Sequence, residues 1–196
     1  MNHKLYEKGE YNVWLDHTNE KEKFKEILEE SFLSELPNKK NLSILDIGCG
    51  DGYTSNTLLS FLEKKGIKTK YLGIEPSQGM ISKAKKSLSN FKFVEIQKGT
   101  FESIEFITEK YDLIFISHSL YFYENKFEKI LSKLKKLSKN LLIVHQGSLG
   151  IAEFHKKFKK IRNLELKNNY SSYNDILKAL GNLGFSYNLY EKETFI

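Results

Sequence analysis

The chain has 196 residues and a formal net charge of +6, and 40% of its residues are hydrophobic. This length suits a single domain with a packed core, and the balance of residues excludes the disordered and fibrous classes. The only cysteine, Cys49, excludes an internal disulfide and a thiolate metal cluster. The first ten residues are polar, and the longest apolar stretch is interrupted at 117–119. We therefore expect a cytoplasmic protein with neither a signal peptide nor a membrane span.

Lysine supplies almost all of the positive charge, because Arg162 is the only arginine. Arginine makes most bidentate contacts to phosphate and guanine, so its scarcity argues against a nucleic acid as the partner. The lysines are interspersed with glutamates along 20–30 and 126–139. This pattern is typical of a solvated helix surface, and we interpret the charge in that way.

A helix at 22–36 is the first predicted element, because its residues are amphipathic and Pro37 closes it. The next element, at 42–47, is a short apolar run that ends in glycines, which is typical of a buried parallel strand. Three helices with apolar residues three and four positions apart follow, and they alternate with four more strands. The helices are predicted at 53–65, 78–88 and 124–137, and the strands at 70–74, 91–96, 111–116 and 140–145.

This alternation of strand and helix predicts an α/β fold, a Rossmann-like three-layer sandwich with a mostly parallel sheet. A late helix is predicted at 171–183 with Gly184 just after its end. The alternating pattern of 185–196 predicts one terminal strand. The sequence has no internal repeat or long linker, so we expect one domain over 1–196. Its helical N-terminal segment, 1–38, would act as a lid or substrate segment before a core at 39–196.

The sharpest motif lies where the first strand ends, since residues 45–52 read L-D-I-G-C-G-D-G. Glycines let the backbone turn tightly and approach a ligand, and the start of the following helix offers free N–H groups. Glu75 ends the second strand, where an acidic residue can accept both hydroxyls of an adenosine ribose. Both features fall at the C-terminal edge of the sheet, so the sequence predicts an adenosine-containing cofactor there.

Two kinds of cofactor use this geometry, and the charges distinguish them. A dinucleotide fold requires G-x-G-x-x-G, whereas this chain has Tyr53 at the third glycine position and Asp51 where a pyrophosphate would lie. S-adenosylmethionine carries no phosphate, and its ammonium and sulfonium groups are cationic. Acidic residues at Asp46 and Asp51 suit such a ligand, so the motif favours the methyl donor over NAD.

The 45–52 motif, with an acid closing the next strand, resembles that of class I S-adenosylmethionine-dependent methyltransferases over about residues 40–147. The resemblance implies that the glycine loop holds the amino-acid end of the cofactor and that Glu75 holds the ribose. It also implies that the turn after the third strand flanks the adenine, and that the end of the fourth strand lies beside the methyl group. The cofactor residues it assigns are Asp46, Gly48, Cys49, Gly50, Asp51, Glu75, Pro76, Thr100, Phe101 and Ser117.

A second likeness extends over most of the chain, since segments 14–20, 75–77, 119–123 and 147–150 resemble histamine N-methyltransferase and its bacterial relatives. In that family an N-terminal glutamate binds the amine, and its position falls on Glu20. A glutamine of the family is His118 here, and the tryptophans of its histamine pocket fall on Ile151 and His155. The likeness implies methyl transfer to a small-molecule acceptor, an amine nitrogen. It also implies that the C-terminal strands of the sheet are incomplete, because the chain ends near the sixth strand.

We expect Glu20 and His118 to be the catalytic residues, with Trp14 and Tyr121 beside them at the acceptor. For an oxygen acceptor, His118 is the favoured general base. The plainer roles stay open, namely a capping or solvated Glu20 and a His118 that is satisfied within the core. No H-E-x-x-H motif is present. We therefore expect methyl transfer without a metal, with S-adenosylhomocysteine as the product.

Two other functions stay open at this point. The first is a protein that binds S-adenosylmethionine without turnover and needs a partner to complete its sheet. The second is a nucleic-acid methyltransferase, which the +6 charge suggests. The sequence lacks the N/D-P-P-Y/F and Pro-Cys motifs of the base methyltransferases, which argues against this second function.

Overall fold

The computed structural model describes residues 18–100, 107–120, 126–147 and 173–194. Helices and strands alternate through these ranges, as the sequence predicted. The strands are β1 Asn41–Ile47, β2 Lys68–Glu75, β3 Val94–Lys98, β4 Leu113–Ser117 and β5 Leu141–Val144. The helices are α1, which runs from Glu20 to Glu35, α2 Tyr53–Lys64, α3 Gln78–Ser87, α4 Phe127–Leu137 and α5 Tyr173–Asn182. No helix within these ranges is long and apolar enough to cross a membrane.

The described strands form one parallel sheet with the order β3-β2-β1-β4-β5. The chain therefore builds outward from β1 in one direction through β2 and β3, and then in the other direction through β4 and β5. The order reverses between β1 and β4, which is where open α/β sheets form a ligand crevice at their C-terminal edge. The predicted α/β, Rossmann-like sandwich with a parallel sheet is confirmed.

Helices cover both faces of the sheet, because successive strand residues point to opposite sides. Alternate residues of β1 pack in this way, with Leu42 and Ile44 on one face and Leu45 and Ile47 on the other. Helices α1, α2 and α3 cover the first face, and α4 and α5 cover the second. The first core includes Phe24, Leu28, Phe32, Leu58, Leu62, Ile81, Ala84, Tyr71 and Phe115, and the second includes Ile74, Ile114, Ile116, Ile130, Leu131, Leu134, Ile176 and Leu180.

Helix α1 has three consecutive parts, an α-helical Glu20–Ile27, a π-helical Leu28–Phe32 and a last α-helical turn Leu33–Glu35. Its buried side chains are four residues apart, at Phe24, Leu28 and Phe32. Because a spacing of four is longer than the 3.6-residue turn, such a stripe drifts around an α-helix, and the wider π turn rotates it back toward the sheet. The Phe24 ring stacks on Phe115 of β4 with 5.9 Å between ring centroids.

The stretch after α5 differs from the sequence prediction. Gly184 has a φ of +64° and follows the helix end, as predicted. However, the described part of the predicted terminal strand, 185–194, is not a strand. It reaches α1 on the other side of the sheet instead, where Lys192 Nζ lies 2.8 Å from Glu30 Oε2 and 3.4 Å from Glu26 Oε2. A strand needs a neighbouring strand for its backbone hydrogen bonds, and the alternating sequence does not reveal whether one is present.

Candidate active site

The glycine motif forms a tight turn between β1 and α2. Gly48, Gly50 and Gly52 all have positive φ, at 77°, 57° and 78°. Both Gly48 N and Cys49 N donate to the Ile74 carbonyl at the end of β2, at 2.8 and 3.2 Å. A Cβ added at Gly48 would lie 2.5 Å from Ser119 Cβ, whereas one at Gly50 would have no atom within 4 Å. The turn therefore needs glycine at 48 for space, and it leaves open space beside Gly50.

Glu75, the last residue of β2, lies directly against this turn and is 7% exposed. Its Oε2 accepts a hydrogen bond from Gly50 N at 3.0 Å, and its Oε1 accepts one from Ser77 N at 2.9 Å. Gly99 N, just after β3, donates to the Glu75 carbonyl at 3.1 Å. The carboxylate is thus fixed at the C-terminal edge of the sheet, between the glycine turn and the start of α3.

Asp46 lies beneath the turn, inside the first core, and is 1% exposed. Ser55 Oγ and Tyr71 Oη both donate to its Oδ2 at 2.6 Å. Burial raises the pKa of Asp46 to about 6, because the charged form loses its hydration, and the nearby Glu75 charge acts in the same direction. The two hydroxyl donors partly oppose this shift. Asp46 therefore holds β1, β2 and α2 together under the turn.

Cys49 belongs to the same buried layer. Burial raises the pKa of its thiol well above the usual value, and the charges of Asp46 and Glu75 add to that effect. A Cβ added at Gly73 in β2 would lie 2.9 Å from Cys49 Sγ, so Gly73 leaves the room that the thiol occupies. The side chain acts as a small packing residue, and the turn presents its backbone to the crevice.

The end of β4 forms the other side of the crevice. His118 has a φ of +49°, which is rare for a residue with a side chain, and its N–H donates to the Val144 carbonyl of β5 at 3.0 Å. Ser119 Oγ donates to the Ile47 carbonyl of β1 at 2.7 Å. Hydrogen bonds to main-chain carbonyls thus link the strand ends across this edge of the sheet.

Two buried oxygen atoms near the turn have no hydrogen-bond partner among the described residues. They are Asp46 Oδ1 and Ser117 Oγ. Buried polar atoms are almost always paired in folded proteins. Because Ser117 ends β4, one of these unpaired atoms lies at the edge where a ligand of this fold binds.

Glu20 and His118 come together although they are 98 positions apart in the chain. Glu20 begins α1, and its Oε1 contacts His118 Nε2 at the end of β4. Both side chains are about one-quarter exposed, at 24% and 22%. The Glu20 carboxylate therefore reaches the end of β4, at the same edge of the sheet as the glycine turn.

The other predicted site residues have different positions. Asp51 Oδ1 accepts from Tyr53 N, the first N–H of α2, at 3.0 Å. Pro76 is half-buried after Glu75, and Thr100 is exposed after β3. Trp14, Phe101 and Tyr121 lie outside the described residues. The described ranges contain no group of three His, Cys, Asp or Glu that could hold a metal. The expectation of metal-free chemistry stays a prediction.

Sequence reasoning missed several residues of this region. Lys21 places its Nζ 3.8 Å from the centroid of the Tyr53 ring, at the start of α2. His145, just after β5, directs Nδ1 to the Gln146 carbonyl at 2.8 Å, and burial lowers its pKa, with the His118 charge acting in the same direction. Only Ser119 carried a usable signal, since it follows the predicted His118 at the same strand end.

A family model described as a methyltransferase domain matches residues 38–180. The putative methyltransferase 235L of Invertebrate iridescent virus 6 is 31% identical over 121 residues, which is 59% of this chain and 42% of the relative. The malonyl-acyl-carrier-protein O-methyltransferase of Priestia megaterium is 34% identical over 119 residues, 59% of this chain and 41% of the relative. The ubiquinone/menaquinone biosynthesis C-methyltransferase UbiE of Campylobacter jejuni is 26% identical over 150 residues, 71% and 58% of the two chains. The chain thus spans about half the length of these relatives.

Solved structures share the fold. The CMeT domain of the citrinin polyketide synthase superposes with a TM-score of 0.64 and 19% identity, over 85% of this chain and 46% of that one. The cyclopropane synthase MmaA2 of Mycobacterium tuberculosis gives 0.58 and 16%, over 79% and 58% of the two chains. Because the family match covers most of the chain, including the glycine turn, Glu75 and His118, this protein belongs to the methyltransferase-domain family.

Proposed function

We propose that the protein is an S-adenosylmethionine-dependent methyltransferase that acts on a small amine. The contact of Glu75 with Gly50 N carries the first half of this proposal, because it fixes an acidic side chain at the glycine turn of a methyltransferase domain. The contact of Glu20 with His118 carries the second half. The printed names of the relatives cover both carbon and oxygen methylation, so the acceptor is argued from these side chains and not from the family.

The residues around the turn fit S-adenosylmethionine. The Glu75 carboxylate accepts backbone N–H groups through both oxygens at the edge of the sheet, and an acidic side chain in this place is the type of group that accepts ribose hydroxyls. Gly50 has open space beside it, and Ser117 Oγ is a buried atom that lacks a partner among the described residues. The negative charge of Glu75 at the turn suits the cationic groups of the ligand, and the charge of Asp46, buried beneath the turn, acts in the same direction. When bound, this cofactor supplies a methyl group activated by the sulfonium.

Glu20 and His118 supply the chemistry that an amine acceptor needs. An amine attacks carbon only through the lone pair of its neutral form, so an amine that binds as an ammonium must lose one proton before the new bond forms. The carboxylate of Glu20 attracts and orients the cationic amine and accepts its proton, while His118 donates the Nε2 hydrogen of their contact and holds that carboxylate in place. The remaining task is alignment of the nucleophile, which side chains held at one edge of the sheet favour.

The cofactor half is tested by calorimetric titration of the purified chain with S-adenosylhomocysteine and S-adenosylmethionine. We expect micromolar binding, and we expect Glu75→Gln to weaken it about 10- to 100-fold, since it removes the charge from the bonds to the ribose. Glu63→Gln, an exposed glutamate of α2, is the matched control and should bind like the unaltered chain. Equal affinities for all three proteins would contradict this role of Glu75.

The acceptor half is tested by measuring S-adenosylhomocysteine formation with a panel of small amines. With an amine that is turned over, Glu20→Gln and His118→Asn should each lower kcat/KM about 100-fold or more, while the affinity for S-adenosylhomocysteine stays unchanged. Asparagine is chosen because it tolerates the positive φ at position 118. Unchanged turnover in both variants would exclude this site. Tight cofactor binding with no turnover of any acceptor would identify a binding protein instead.

A further inference from the structure

Lys21 brings an ammonium group to the glycine turn. It lies in the first turn of α1, and its Nζ is 3.8 Å from the centroid of the Tyr53 ring. Tyr53 is the first residue of α2 and follows Gly52 directly, so the cation lies where the turn enters the helix. The start of α1 therefore contributes two neighbouring residues to this edge, Glu20 toward His118 and Lys21 toward the turn.

The surroundings of Lys21 are only partly matched to its charge. The side chain is half-buried, and it forms no ion pair with any residue in the described ranges. Burial is the largest influence and lowers the pKa of Lys21, the Lys25 charge lowers it further, and the Asp51 charge raises it. Asp51 itself is engaged with the N–H of Tyr53. An added anion at this position would stabilise the ammonium.

The amino-acid end of the cofactor presents such an anion. It carries one carboxylate beside its ammonium, and under the proposed function it lies against the glycine turn. The turn, 48–52, contains the acidic Asp51 and no basic residue, and the acidic Asp46 and Glu75 flank it. These acids suit the ammonium but repel the carboxylate, so the carboxylate requires a cation from another element.

We propose that Lys21 binds the carboxylate of the cofactor's methionine moiety. This assignment rests on the proposed function and adds to it a residue that selects the amino-acid form of the ligand. The start of a helix favours anions, so the first turn of α2 and the Lys21 ammonium act in the same direction. The stack on the Tyr53 ring restricts the lysine chain and reduces the entropy that it loses when the ligand binds.

The test compares two ligands that differ in the amino-acid end, which carries the carboxylate and the ammonium. S-adenosylhomocysteine has the complete amino-acid end, whereas 5′-methylthioadenosine keeps the adenosine and the thioether and lacks the amino acid. Calorimetry should show that Lys21→Met weakens S-adenosylhomocysteine binding about 10- to 50-fold and leaves methylthioadenosine affinity unchanged. Lys25→Met, one helical turn further along α1 and exposed, should change neither affinity. Lys21→Arg keeps the charge and should restore most of the loss.

The outcomes separate this inference from the proposed function. Unchanged affinity of Lys21→Met for S-adenosylhomocysteine overturns the inference, and equal weakening of both ligands also overturns it, because that result indicates a displaced helix. If the unaltered chain binds methylthioadenosine, and Lys21→Met and Lys21→Arg have equally weakened affinity for S-adenosylhomocysteine, a charge contact is excluded. An unaltered chain that binds neither ligand contradicts the proposed function, and the inference is rejected with it.

Discussion

Asp46 is the residue whose burial has the clearest effect on stability. Its pKa in the folded chain is about 6, against the usual 3.8, because burial penalises the carboxylate. A folded-state pKa above the unfolded value means that the ionised form opposes folding. The ionised Asp46 therefore lowers the free energy of unfolding most above pH 6. This penalty disappears as the pH falls from about 6 to about 4.

We expect Asp46→Asn to raise the free energy of unfolding at pH 7 by about 1–3 kcal/mol, because the amide oxygen still accepts the hydroxyls of Ser55 and Tyr71 and needs no charge. The gain should shrink between pH 6 and pH 4. Urea unfolding at several pH values measures it. A parallel dependence of the variant and the unaltered chain on pH would contradict the assignment.

Asp112 is the matched control for Asp46, because its pKa is shifted in the opposite direction. Burial raises its pKa, but the hydrogen bonds from Lys39 and Ser43 outweigh that effect, and the pKa is lowered overall. Here the ionised form stabilises the fold, so Asp112→Asn should lose stability at pH 7. The variant should have the lower free energy of unfolding at pH 7, whereas Asp46→Asn should have the higher one. As the pH falls, the free energies of unfolding of Asp112→Asn and the unaltered chain should approach each other.

At the scale of elements, the contact between the ends of β1 and β4 limits what the glycine turn can contain. An alanine at position 48 would have its Cβ 2.5 Å from Ser119 Cβ, and its backbone would also have to keep a positive φ. An alanine at position 50 would have the positive φ but no such contact. We expect Gly48→Ala to cost about 2–4 kcal/mol and Gly50→Ala about 1–2 kcal/mol in urea unfolding.

The pair of residues can be tested together. In the double variant Gly48→Ala/Ser119→Gly, removal of the serine side chain makes room for the alanine methyl group. Part of the free energy of unfolding that Gly48→Ala loses should therefore be recovered. Equal costs for the two single glycine variants, or no recovery in the double variant, would show that the contact with Ser119 does not restrict this turn.

Part of helix α1 was predictable from the sequence, and part was not. Its apolar residues predicted one amphipathic helix at 22–36, and the helix is present from Glu20. The π-helical part, Leu28–Phe32, was not predictable, since the stripe of Phe24, Leu28 and Phe32 is compatible with an α-helix until the position of the sheet is known. The contact of Glu20 with His118 depends on the same packing, and only family resemblance indicated it.

For the whole molecule, local patterns were sufficient to predict the sheet and the sequence of helices around it. Short apolar runs that end in glycine or acid indicated the strands, and their parallel order followed from the helices between them. Boundaries were less accurate, as for β3, which begins at Val94 rather than at 91. The stretch 185–194 failed as a strand because pairing depends on a neighbour, and its lysine pairs with acids of α1 instead.

The hydrogen bonds that join the strand ends have a consequence for the evolution of this fold. The carbonyls of Ile47, Ile74, Glu75 and Val144 accept these bonds, and most of the donors are also main-chain groups. Main-chain groups persist whichever side chain a position carries. The frame of the crevice can therefore be inherited while the side chains at its rim are replaced. Relatives named for carbon and for oxygen acceptors are the outcome expected of such a frame.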